Sequence, residues 1–272
     1  MNWLNKPASD TQITHRDRLW LYIVATIVML LLVIPTLIVM PMSFSDSQYL
    51  EFPPDTWSLR WYIEYFESSK WMRATVTSLQ VGILTMLLAT PMGVMAAYAL
   101  FVSGHRASRA LFAFLITPMI VPVILIAIGV FYAYGRVGLN NTIFGLVLAH
   151  AVLASPLVMI VITSALRNYD LNQERVARSL GATRVKAFFV ITLPQIKFSV
   201  ITSALLAFLT SFDEVIISIF VSGGSNATLT KHMFAALRDF IDPTIAAIST
   251  IMILVSTTLL LAKQFFSSRE KK

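Results

Sequence analysis

The chain has 272 residues, of which 57% are apolar and 13% charged, with a net charge of +7 and no cysteine. A soluble globular domain carries about 25% charged residues, so this composition excludes an ordinary soluble core. The absence of cysteine excludes disulfides and thiolate metal sites, and His15, His105, His150 and His232 show no ligand-like spacing.

A hydrocarbon core about 30 Å thick needs about 20 apolar helical residues. Six stretches reach that length: Leu19–Met42, Ser78–Phe101, Ala110–Tyr134, Thr142–Leu166, Phe198–Val221 and Thr244–Ala262. They predict an all-α integral membrane protein with six transmembrane helices over 19–262, a tail over 1–18 and a second tail over 263–272. The first stretch is too long for a signal-peptide core and ends in Val39-Met-Pro-Met-Ser43, not a small-x-small cleavage site. It is therefore expected to be retained.

Between the first two spans, Asp46, Glu51, Asp55, Glu64 and Glu67 alternate with aromatic residues. Phe52-Pro-Pro-Asp-Thr-Trp57 is turn chemistry, and 57–66 reads as a short amphipathic helix on the membrane surface. Trp20 and Trp71 fall at predicted water–lipid boundaries. Pro35, Pro91, Pro118, Pro122 and Pro156 lie inside spans. They read either as kinks that shape packing or, for Pro118 and Pro122, as a bend in a helix lining a pathway.

Basic residues set the orientation. With the N-terminus inside, the inner segments hold Lys6, Arg16, Arg18, Arg106, Arg109, Arg167, Arg175, Arg178, Arg184, Lys186, Lys197, Lys263, Arg269, Lys271 and Lys272. The outer segments hold only Arg60, Lys70, Arg73, Arg136, Lys231 and Arg238. Both termini are therefore expected to be cytoplasmic. The positive charge serves orientation and contact with membrane lipid, not nucleic acid.

The loop between the fourth and fifth spans, 167–194, is the most informative segment. Asp170 is a candidate N-cap with Gln173 completing a capping box, and 171–180 has helical spacing. Gly181 stands where a helix ends in a left-handed residue. Thr183 caps a second helix, Arg184 to about Ile191, which Pro194 stops or kinks. A basic helical projection of this kind suits docking of a soluble partner, or an amphipathic helix lying on the inner leaflet.

The loop resembles the signature of permease subunits of type I binding-protein-dependent ABC importers: Glu-Ala-Ala, three residues, Gly, nine residues, Ile, one residue, Leu-Pro. Here Ala177, Gly181, Ile191, Leu193 and Pro194 stand at that spacing. The sequence departs from the pattern where Arg175 replaces its Glu, with Glu174 just before it, and where Val176 replaces its first Ala. Ser211-Phe-Asp-Glu214 with the residues following to Gly223, Thr228-Leu-Thr-Lys231, Asp242-Pro243 and Arg60-Trp-Tyr62 resemble the spermidine/putrescine branch, and within it the second of two permease subunits. The resemblance implies a bacterial inner-membrane complex with a second permease, an ATPase homodimer and a periplasmic solute-binding protein, working by alternating access. It makes 174–194 the loop that couples to the ATPase. Val176 and Leu180 would pack into that partner, and Arg178 and Arg184 would pair with it or with lipid phosphates.

The chain has no Gly-x-x-x-x-Gly-Lys-Ser/Thr loop, so ATP and magnesium belong to the partner and this subunit is expected to be neither an enzyme nor a cofactor carrier. Asp213 and Glu214 are the only acids within a predicted span. They read as an acidic patch on a cation's route, or as a structural ion pair or helix cap. His150 reads as a hydrogen-bonded interior residue or a proton relay. An intramembrane enzyme would need clustered catalytic groups, and a secondary transporter would show charges on several spans; neither pattern is present. A polyamine is the expected solute, with an amino-acid derivative, a phosphonate or an iron complex as alternatives.

Overall fold

The computed structural model describes residues 14–269 except 106. Lys6, Arg106, Lys271, Lys272 and the outer parts of both expected tails lie outside the described residues. Among those described, the regular structure is helical. In chain order it runs α1 (Leu19–Met42), α2 (Arg60–Glu67), α3 (Ser69–Ser103), α4 (Ala107–Leu115), a 3₁₀ turn (Thr117–Met119), α5 (Val123–Val137) and α6 (Ile143–Arg167). It continues with α7 (Asn172–Ser179), α8 (Arg184–Ala187), a π-helical turn (Phe188–Thr192), α9 (Leu193–Gln195), α10 (Lys197–Phe212), α11 (Ile216–Val221), a 3₁₀ turn (Gly224–Asn226), α12 (Leu229–Asp239) and α13 (Thr244–Arg269). A lone antiparallel bridge joins Ser45 to Trp57.

The chain divides into two compact units, one from Met1–Ser68 and Ala236–Lys272 and one from Ser69–Ala235. In the first, α1 packs on α13 and α13 on α2. No residue of α1 is buried, as expected of an apolar helix meant for lipid. The surface helix begins at Arg60 rather than Trp57, because Trp57 is held in the bridge to Ser45. Its Trp61 and Tyr65 are buried, and Trp61 Nε1 donates to the Ser47 carbonyl at 3.1 Å, so its apolar face covers protein.

In the second unit, α3, α6 and α10 form the core. Ala89, Ala97, Ala151, Ala154 and Ala207 meet there around Val158 and Ile162. Small side chains let helices approach in lipid, where hydrophobicity alone does not drive their association. Gly93 shows how close: a Cβ there would lie 2.6 Å from Val158 Cγ1. His150 of α6 and Ser211 of α10 share a buried 2.8 Å hydrogen bond, which favours the interior reading of His150. Trp71 is a correction to the boundary expectation. It is 5% exposed and packs edge-on against His232, with ring centroids 4.4 Å apart.

Among the described residues three helices, α1, α3 and α6, are long and apolar enough to cross a bilayer; α8–α9 with α10 passes that test only as a pair bent by 80°. The third and fifth expected spans are interrupted. Pro118 and Pro122 break the third: Pro118 sits in the 3₁₀ turn that follows α4, and Pro122, which disfavours helix in the residue before it, stands just ahead of α5 at Val123. Pro35, Pro91 and Pro156 sit within continuous helices. The fifth breaks between Phe212 and Ile216. The last helix runs on to Arg269, past the expected end at Ala262.

Candidate functional site

Two features of the second unit concentrate polar chemistry: the loop around α7 and the break between α10 and α11. In the loop, Asp170 Oδ1 accepts from the Asn172 N–H at 2.9 Å. This turn lies just ahead of α7, whose N-cap is Leu171. Gln173 does not close the expected capping box; its Oε1 accepts from Gln195 Nε2 at 2.5 Å. The C-terminal expectation holds in detail. Gly181 has φ +93°, its N–H reaches the Arg178 carbonyl at 3.0 Å, and the Ala182 N–H reaches that of Ala177 at 3.1 Å. These two bonds form a Schellman motif. Thr183 Oγ1 then accepts from the Lys186 N–H at 3.2 Å and starts α8. The second helix is not uniform: a π-helical turn holds Ile191, and Leu193 and Pro194 open α9.

The candidate coupling residues divide by face. Arg175, Val176, Arg178, Leu180 and Arg184 are exposed, Leu180 to 83%. Ala177 is half-buried. Val185, Phe189 and Val190 are also exposed and extend the apolar surface. Glu174 points the other way and is 2% exposed. The Tyr98 hydroxyl of α3 donates to its Oε1 at 2.7 Å, and Thr192 Oγ1 donates to its Oε2 at 3.1 Å. Tyr169 OH lies 3.0 Å from the same Thr192 hydroxyl and can donate to it. Phe188 stacks near Tyr98 at 4.6 Å. A carboxylate is buried at low cost only when its oxygens are hydrogen-bonded, and both are. It joins α7 to the end of α3 and to the π-helical turn. Tyr98 and Thr192 carry no mark in the sequence, since they lie 76 and 18 residues from Glu174.

At the break, the acids behave differently. Glu214 Oε1 accepts from the Ile217 N–H at 2.9 Å, capping the start of α11. Its carbonyl accepts from Ser218 Oγ at 3.0 Å and Thr230 Oγ1 at 3.1 Å. Lys231 Nζ donates to the Ile219 carbonyl at 3.1 Å and to that of Ser222, closing the far end of α11. Partial burial lowers the Lys231 pKa from its ordinary value. The short helix thus has a carboxylate at its positive end and an ammonium at its negative end. Asp213 ends α10, is exposed and makes no side-chain hydrogen bond among the described residues. The Ser211–Glu214 and Thr228–Lys231 stretches, separate in sequence, form one structural unit.

A bundle of interrupted and continuous apolar helices with a projecting loop of this spacing defines a membrane permease. Residues 89–272 match the family described as binding-protein-dependent transport system inner membrane component, and the chain belongs to that family. It is 30% identical over 239 residues to a spermidine/putrescine transport system permease protein, PotC, of Haemophilus influenzae, covering 88% of this chain and 92% of that one. It is 32% identical over 242 residues to the putrescine transport system permease protein PotI of Escherichia coli, covering 86% and 85%. Its fold is shared with a chain of a bacterial alginate ABC transporter solved in complex with a pentasaccharide-bound periplasmic protein. There the TM-score is 0.68 at 19% identity, covering 93% of this chain and 95% of that one.

Proposed function

We propose that this chain is one of two different permease subunits of an ATP-driven importer of polyamines in a bacterial inner membrane. It would cross the membrane six times with both termini cytoplasmic, the two interrupted helices each counting as a span. The observation that carries the coupling role is the two-faced α7. Glu174 and the Schellman turn hold it from behind, while Val176 and Leu180 stand exposed for a partner.

In this reading the ATPase homodimer grips α7, and its ATP-dependent closure moves the loop. The Glu174–Tyr98 and Glu174–Thr192 bonds carry that movement to α3 and toward α10, which rock the pathway between inward-open and outward-open. A periplasmic binding protein delivers the solute. The named relatives and the exposed Asp213 at the broken helix favour a polyamine, a small flexible cation. ATP and magnesium act on the partner.

The test is reconstitution of this chain with its companion permease, ATPase and binding protein in liposomes. ATP-dependent accumulation of labelled putrescine or spermidine is expected, and none when this chain is omitted. Accumulation of an amino-acid derivative, phosphonate or iron complex in place of a polyamine would overturn the choice of solute. Full accumulation without this chain would overturn the permease role.

A further inference from the structure

Where α3 ends, α4 begins and α6 ends, the second unit holds a cavity of about 220 Å³. Its polar lining residues are Arg109, Arg167, Ser108 and Thr163; Phe101 and Phe112 are among its apolar walls. No acid lines it, and neither arginine has a hydrogen bond or ion pair among the described residues. Ser103 Oγ and Ser108 Oγ share a 2.6 Å hydrogen bond that fixes the turn between α3 and α4.

Two exposed arginines lining one concave site with no acid beside them make it attractive to an anion. Guanidinium forks match the oxygens of a phosphodiester. The apolar walls fit the beginning of acyl chains better than a free hydrated anion. The cavity lies where α3 and α6 end and α4 begins, which in the proposed six-span topology is the membrane surface, and basic pockets between membrane helices take anionic headgroups there. We propose that this cavity is a binding site for an anionic phospholipid, with Arg109 and Arg167 on its phosphodiester. The site does not depend on which solute is carried.

The test uses the assembled transporter in mixed micelles of neutral detergent. On the unmodified complex, phosphatidylglycerol is expected to raise the melting temperature and to be retained in native mass spectra, whereas phosphatidylcholine and inorganic phosphate are not. The Arg109→Gln/Arg167→Gln pair should weaken apparent phosphatidylglycerol affinity about thirtyfold, taking both charges as contributing near the surface. Arg136→Gln, which removes one charge at the far end of α5, should leave it unchanged. Wild-type affinity in the double arginine variant would overturn the proposal. Equal protection by inorganic phosphate would mark a free-anion site and overturn the lipid assignment. Loss of the companion permease on purifying the double variant, with this chain still folded, would make the cavity a subunit contact and overturn it as well.

Discussion

Replacing Gly181 perturbs the coupling loop through backbone conformation alone. Its φ of +93° lies in the left-handed region, where an L side chain costs about 1–2 kcal/mol. A Cβ built there meets no atom of this chain within 4 Å, so there is no clash to add. The chain can keep the turn at that cost, or abandon it and lose the two bonds from Gly181 and Ala182, worth about 1 kcal/mol each. Either way the ceiling is about 2 kcal/mol, equivalent to about a thirtyfold loss of the correctly aimed α7. Gly181→Ala and Gly181→Leu should therefore destabilise the isolated chain equally, and Gly181→Asn less, because Asn tolerates the left-handed region. In proteoliposomes, Gly181→Leu should lower solute-stimulated ATP hydrolysis and uptake tenfold or more, to about the thirtyfold ceiling, with the chain inserted normally. Undiminished uptake by Gly181→Leu would refute the reasoning that this turn aims a docking helix. A Leu variant of the isolated chain far less stable than the Ala variant would refute the claim that the space is open.

Because the chain has no cysteine, single cysteines report topology. In intact cells Gln48→Cys and Ser225→Cys should react with an impermeant thiol reagent and Ser179→Cys only after permeabilisation; the reverse pattern would overturn the orientation. Glu174→Ala strands the Tyr98 hydroxyl, leaves Thr192 only Tyr169 as a partner, and should destabilise the chain by about 2–3 kcal/mol, more than Tyr98→Phe, which removes one charge-assisted bond. Equal chemical-denaturation midpoints for wild type and Glu174→Ala would show that the network does not hold α7. His150→Ala leaves the buried Ser211 hydroxyl unpaired and should cost about 1–3 kcal/mol by the same measurement; no loss would mean that water replaces the imidazole. Asp213→Asn should reduce putrescine uptake by about tenfold or less, with the complex intact. Unchanged uptake by that variant would remove Asp213 from the route.

Hydropathy marked the ends of α1 and α6 because a lipid-facing or core-facing helix must be apolar throughout its length. It overlooked the breaks at Pro122 and at Asp213–Val215, since an interrupted span and a continuous one have the same mean apolarity. Local chemistry served better at the coupling loop. Gly181 and Thr183 act on neighbours two to five residues away, so their roles are written in the sequence around them. Glu174 is different. Nothing near it in sequence distinguishes a carboxylate facing a partner from one facing Tyr98, which lies 76 residues away. Trp71 misled for a related reason: an indole at a helix start suits a lipid boundary as well as a neighbour such as His232, and only the folded chain brings His232 to it.

The broken helix also separates two acids that composition treats as a pair. A helix as short as α11 has too few hydrogen bonds to offset its nucleation cost and depends on its ends. The Glu214 carboxylate accepts from the Ile217 N–H in the first turn and Lys231 donates to carbonyls at the last, so both charges are engaged at the ends of α11. Neutralising Glu214 to Ala removes a cap worth about 1 kcal/mol and should impair assembly before it impairs affinity for solute. Asp213 has no such duty and is exposed. On the proposed route a cation passing the break would meet one carboxylate free of side-chain hydrogen bonds among the described residues there, Asp213, and a double Asp213→Asn/Glu214→Gln variant would mix the two effects. Only the single variants separate them, with subunit co-purification and uptake measured on each. If Glu214→Ala co-purifies normally while losing uptake, the division between a structural Glu214 and a route-facing Asp213 fails.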